Sequence, residues 1–122
     1  MMNPTEVRAA IEAALFYANG EVTTDDVMNG LADGTYTLFE FPSGWVIVTV
    51  IQYERTKALR IAIANGDLSE QPEVLSALEQ CAELNSCDYL EIYGRRGWAR
   101  QLKPFGYTEQ YVVVTKPVRR PQ

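Results

Sequence analysis

The chain has 122 residues, 47% of them apolar and 22% charged, which is the size and balance of one ordinary globular domain. It contains no histidine and only two cysteines, which excludes Ser-His-Asp and Cys-His catalysis, the common zinc sites that use histidine, and a four-thiolate zinc site. The net charge of −5 argues against general nucleic-acid binding, yet it is unevenly divided: residues 1–93 carry 4 basic and 15 acidic groups, residues 94–122 carry 7 and 1.

Pro4 suits the first turn of a helix, and Val7, Ala10, Ile11, Ala14, Leu15 and Ala18 form one apolar stripe that Asn19-Gly20 stops. Thr23-Thr24-Asp25-Asp26 caps a short second helix with Val27, Met28 and Leu31 inward, and Asp33-Gly34 ends it. The period then changes to two. Thr35 to Phe41 is aromatic and β-branched, Pro42-Ser43-Gly44 makes a hairpin turn, and Trp45 to Tyr53 is apolar enough to be covered on both faces. Ala58 to Ala64 alternates, which predicts Leu59, Ile61 and Ile63 on one face and Arg60 and Ala62 on the other.

Asn65-Gly66-Asp67 breaks the sheet. Ser69 and Gln71-Pro72 open a helix to about Asn85, with Val74, Leu75, Leu78, Cys81, Ala82 and Leu84 as its inner stripe. Asp88 to Tyr93 is a further strand. Gly94 and Gly97 bracket a turn into a short helix holding Trp98, Leu102 and Phe105, which Gly106 ends, and Tyr111 to Thr115 is a last strand. The expected order is α-α-β-β-β-α-β-α-β, an α/β fold whose mixed, mostly antiparallel sheet is flanked by helices and has one parallel step across the long helix. Residues 1–116 make one domain, helical over 1–34 and with the sheet core over 35–116; 117–122 is a short polar tail.

Cys81 and Cys87 are expected as buried, reduced thiols. No apolar run reaches the roughly 20 residues that span a bilayer, and no basic stretch precedes the apolar part of residues 1–20. A soluble chain of the cytoplasm is therefore expected, without membrane contact.

The element order, together with Leu102-Lys103-Pro104-Phe105-Gly106-Tyr107 before a last strand, resembles the GNAT acetyltransferase superfamily over about residues 35–116. Gly94-Arg95-Arg96-Gly97-Trp98, followed by the Gly106-Tyr107 turn, is similar to the small GNAT-like proteins of tailed bacteriophages. The first resemblance implies a GNAT-like fold. The second implies a virion component, such as an internal head protein, and incorporation into a phage particle.

An active member of the superfamily cradles the pyrophosphate of acetyl-CoA on free backbone N–H groups at a helix start. The matching stretch, Ala64 to Glu70 with Asn65, Gly66, Asp67 and Ser69 at its centre, has one glycine, no opening Gln or Arg, and the carboxylates of Asp67 and Glu70, which repel a phosphate. The resemblance places the family's general acid at Leu102, which has no proton to give. Tyr93 and Tyr107 are explained by packing. Glu40, Glu54 and Glu91 are read as lying on strands, where carboxylates mostly face solvent. No catalytic residue and no cofactor is therefore assigned, and the cradle is read as degenerate.

The remaining candidate is the cluster Arg95, Arg96, Arg100 and Lys103, of which the last three fall on one helical face and would grip carboxylates or phosphates. Trp98 beside it is a core or interface anchor. The expectation is a non-catalytic assembly module, docking protein partners, copies of itself or phage virion proteins through its basic end. The alternative is an N-acetyltransferase that binds acetyl-CoA through an atypical cradle.

Overall fold

The computed structural model describes residues 2–15, 22–92 and 97–118. In chain order these form α1 (Pro4–Leu15), α2 (Thr24–Asp33), β1 (Tyr36–Phe41), β2 (Gly44–Gln52), β3 (Lys57–Asn65), a 3₁₀ turn at Leu68–Glu70, α3 (Pro72–Leu84), β4 (Tyr89–Ile92), α4 (Gly97–Leu102) and a second 3₁₀ turn at Lys103–Phe105. Local chemistry accounts for the boundaries. Thr23 Oγ1 accepts from the Asp26 N–H at 3.1 Å while Asp26 accepts from the Thr23 N–H at 2.8 Å, a reciprocal cap that starts α2. Gly34, at φ 87°, ends it. The Ala18 end of the α1 stripe and its Asn19-Gly20 stop lie outside the described residues, as do Tyr93, Gly94, Arg95 and Arg96.

The strands lie in the order β1-β2-β3-β4. β1, β2 and β3 form the expected antiparallel meander, and β4 adds in parallel to β3 because α3 carries the chain back across the sheet. β2 is buried on both faces. Trp45 and Ile47 join Val7 and Ile11 of α1 and Val27 of α2 in one core, while Val46 and Val48 join Leu59, Ile61, Leu78 and Ala82 in another under α3. Helices thus cover both faces of a mixed, mostly antiparallel sheet, the expected architecture.

One feature of β3 corrects the simple alternation. Ile47 pairs with Ile63 but Val48 pairs with Ile61, so Ala62 is an extra residue, a β-bulge. The bulge consumes one step of the side-chain period. Leu59 and Ile61 therefore face α3, whereas Ile63 faces α1 and α2, not the side shared with Ile61. Three further expectations are corrected. Leu84 is 85% exposed, since it lies two residues past buried Ala82 and about 200° around α3 from it. Cys81 and Cys87 are free but only half-buried, at the mouth between α3 and β4; burial pushes the Cys87 thiol up. Tyr111–Thr115 forms no strand: residues 107–118 run irregularly, because a β-prone segment needs a ladder partner before its propensity counts.

A third cluster joins the layers at the end of the sheet. Leu68, Leu75 and Leu102 are buried there, with Phe41, Ala64, Val74, Ile92, Trp98 and Tyr107 packed around them. Leu68→Ala should therefore cost about 2–5 kcal/mol, read as a lowered urea midpoint at unchanged slope. A loss below about 0.5 kcal/mol would mean that this end of the molecule is not packed as described.

Candidate functional site

Among the described residues, the stretch matched to a cofactor cradle lies at the exit of β3. Among the described residues the β3–β4 ladder stops at Ile61↔Ile92, while β3 runs on to Asn65. Gly66 then turns in the left-handed region at φ 98°. A Cβ there would lie 2.7 Å from Ser43 O, and one on Gly44 would lie 2.0 Å from Asn65 O, so the β1–β2 turn is pressed directly onto this loop. Gln71 Nε2 donates to Ser43 Oγ at 3.2 Å and fastens the same contact.

The chain itself uses the backbone donors that follow. Asp67 Oδ1 accepts from the Ser69 N–H at 2.9 Å and from the Ser69 hydroxyl. The Glu70 N–H donates to Asp67 O at 3.2 Å and the Gln71 N–H to Leu68 O at 3.0 Å. The next residue, Pro72, has no N–H to offer. A diphosphate needs several adjacent unpaired N–H groups at the positive end of a helix. Here three consecutive donors are committed, and the carboxylates of Asp67 and Glu70 add like charge.

The space beside the loop is filled as well. α4 lies over the ends of β3 and β4, with Leu102 fully buried and Trp98 half-buried against Ala64, Ile92 and Leu68. Leu102 is therefore a packing residue, and Trp98 anchors α4 to the body from a partly exposed position. Tyr107 packs against the same cluster. Its hydroxyl is buried without a hydrogen-bond partner among the described residues. Burial first, and then the charge of Glu79, push this phenol up to about 12. Such a group is a poor proton donor at neutral pH.

Glu40 and Glu54 are exposed, as expected of strand and loop carboxylates. Glu91 is not. Its side chain is only 9% exposed and accepts from Arg60 Nε at 2.8 Å, and from the Tyr53 hydroxyl at 2.9 and 3.0 Å to its two oxygens. Arg60 Nη2 also donates to the Tyr53 oxygen at 3.1 Å. Burial opposes the charge on Arg60, but the bonds to Glu91 and Tyr53 outweigh it and hold the guanidinium above its usual value. A carboxylate held this way is a strut that ties β3 to β4. Sequence reading missed the cluster because the parallel register that sets Arg60 opposite Glu91 is a long-range fact. The available signal was two opposite charges on otherwise apolar strands.

Of the basic cluster, the described part is Arg100 in α4 and Lys103 at the start of the second 3₁₀ turn. Both are exposed, and neither forms an ion pair among the described residues. Arg95 and Arg96, the latter expected on one face with Arg100 and Lys103, lie outside the described residues. No group of three metal-ligating side chains occurs among the described residues, and none of their helices is long and apolar enough to cross a membrane.

No protein-family model matches the chain, and no curated protein does. Solved structures do. A GCN5-related N-acetyltransferase from Ralstonia eutropha JMP134 is similar at a TM-score of 0.67 and 16% identity, covering 93% of this chain and 91% of that one. A Trypanosoma brucei acetyltransferase superposes at 0.63 and 7% identity, covering 96% of both chains. A Bacillus halodurans C-125 transcriptional regulator superposes at 0.65 and 10% identity, again over 96% of each. The fold is thus the mixed α/β fold of the GCN5-related acetyltransferases, a fold that proteins with other names share. Identities this low establish the architecture alone.

The orphaned Tyr107 hydroxyl yields a measurable consequence. Its raised folded-state pKa means that the phenol is neutral in both states below pH 10, and that stability is lost as pH rises from about 10 to 12 because the unfolded chain ionises first. Tyr107→Phe should remove part of that alkaline loss and, by deleting an unpaired buried hydroxyl, stabilise the fold at neutral pH by up to about 1 kcal/mol. Destabilisation by more than about 1 kcal/mol at neutral pH would mean that the hydroxyl has a partner after all.

Proposed function

We propose that this chain is a non-catalytic protein-interaction and assembly module built on an acetyltransferase-like fold. The observation that carries the reading is the commitment of the Ser69, Glu70 and Gln71 N–H groups to Asp67 and Leu68. A cradle spent on its own chain holds no diphosphate, and the chemistry of the fold starts with that diphosphate. Buried Leu102 and the raised Tyr107 phenol support the same reading.

The exposed charges of Arg100 and Lys103, without an ion pair among the described residues, and Arg95 and Arg96 beside them in sequence supply a surface for acidic partners, either protein or another copy. The phage particle as the place of that assembly rests on the sequence resemblance of Gly94–Trp98 and Gly106-Tyr107 alone.

The competing reading, an acetyl-CoA-dependent N-acetyltransferase with an atypical cradle, is favoured by the acetyltransferase names of several structures sharing the fold. Thermal unfolding with and without saturating CoA separates the two. A ligand at a hundred times its dissociation constant contributes about 2.7 kcal/mol, a rise of several degrees. The interaction-module reading predicts no rise; a rise of that size establishes the competing one.

A further inference from the structure

β1 is an edge that the fold leaves open. The sheet ends there, and among the described residues no strand lies on its outer side. In a two-residue hairpin the closing pair, here Phe41↔Gly44, is the hydrogen-bonded kind. Alternation then turns the N–H and C=O groups of Tyr36, Leu38 and Glu40 away from β2. Sheet edges are ordinarily blunted by lysine, proline, a bulge or a very short strand. β1 has 6 residues, none of them lysine or proline, and pairs with β2 in unbroken register from Tyr36 to Phe41.

Beside this edge lies an open groove of about 510 Å³, walled by Met2 and Pro4 at the start of α1 and by Met28 and Leu31 of α2, with Tyr36 and Leu38 below. Among its lining residues Thr37 is the one polar side chain, so the groove suits aliphatic side chains rather than a polar metabolite. Side chains directly opposite one another on paired strands lie about 4.5–5.5 Å apart. Residues of an added strand opposite Tyr36 and Leu38 would therefore stand at the groove. On its other face the strand would meet Phe39 and Phe41, which are half-buried against the core under α3.

We propose that the β1 edge and this groove bind an extended segment of another protein, apolar along one face and carrying lysine or arginine. Charge selects the basic partner. Residues 1–54 hold eight acidic groups and one basic group, Arg8, which is already paired with Glu12 and Asp25. Glu6, Asp33 and Glu40 adjoin the groove and are exposed. Among the described residues each accepts from a neutral donor only: Asn3 Nδ2, the Thr35 N–H and the Met2 N–H. Their charge is left for an incoming cation. The same charge disfavours a second copy that pairs β1 with β1, because two acidic edges would meet.

This inference goes beyond the interaction-module reading and stands without it, since it concerns the acidic part of the chain and CoA binding leaves it unchanged. The test is fluorescence anisotropy of a labelled, end-capped peptide, Lys-Val-Thr-Val-Thr-Val-Lys, and of its counterpart with glutamate in place of lysine. Both are titrated with the full chain and with the variants Glu40→Gln and Glu40→Pro. The Glu40 amide faces outward, so proline removes a donor to the incoming strand and spares the β1–β2 ladder, whereas glutamine removes charge alone. The lysine peptide should bind with a Kd below about 1 mM, roughly tenfold more tightly than the glutamate peptide, and should weaken as salt rises from about 50 to 500 mM. Glu40→Gln should lose about two- to fivefold, and Glu40→Pro should lose measurable binding with the wild-type circular dichroism retained. Amide hydrogen exchange of the wild type is a second readout that needs no variant: the lysine peptide should slow Tyr36, Leu38 and Glu40 and leave Thr37 and Phe39 unchanged. Absence of binding at about 1 mM, equal binding of the two peptides, or slowing that spares those three amides overturns the proposal. So does slowing of the three in peptide-free protein as its concentration rises, which would assign the edge to a second copy.

Discussion

Everything in this fold depends on β2 and β3 being covered on both faces. A strand such as Trp45–Val48, with each successive side chain buried, cannot sit at a surface, so helices must close both sides of the sheet. The bulge at Ala62 adjusts β3 to this double duty. Before it, Leu59 and Ile61 point to α3; after it, Ile63 points to α1 and α2 and Ala64 returns to the α3 side. The polar exceptions on these strands are handled by pairing. Thr49 is buried but donates to Thr35 O at 2.8 Å, and Glu91 is neutralised by Arg60 and Tyr53. Removing one partner of such a buried pair costs more than the pair itself contributes, which makes the strut a determinant of β4 alignment.

The same packing shapes the exit of β3. The β1–β2 turn must approach the β3 exit closely, and only glycine at positions 44 and 66 permits it. Once Gly66 has turned, the donors of Ser69, Glu70 and Gln71 need acceptors. Asp67 and Leu68 supply them from within three residues. An N–H already bonded within the chain has less to offer a further acceptor. α4 then seals the end of the sheet with Leu102 and Trp98.

Much of this was legible in the sequence because its signals are local. Period-two and period-3.6 patterns marked the elements, Thr23 and Asp26 marked a cap, and Asp67 was visible as a carboxylate beside the N–H groups it occupies. What escaped detection was non-local. The bulge at Ala62 depends on how β2 meets β3, so simple alternation misassigned Ile63. The Arg60–Glu91 pair depends on a parallel register set through α3. The last strand failed for a related reason: Tyr111–Thr115 has the composition of a strand, but composition supplies no partner. Trp98 could be read only as some kind of anchor, because a half-buried aromatic looks the same in sequence whether it meets its own core or another chain.

The proposed reading rests on the N–H groups of Ser69, Glu70 and Gln71, just ahead of α3, being bonded to their own chain. Residue-resolved amide hydrogen exchange measures this directly at Ser69, Glu70 and Gln71, with and without saturating CoA. The account predicts that all three amides are protected in the free protein and that CoA leaves their rates unchanged. Fast exchange in the free protein, slowed at these three positions when CoA is added, would contradict it.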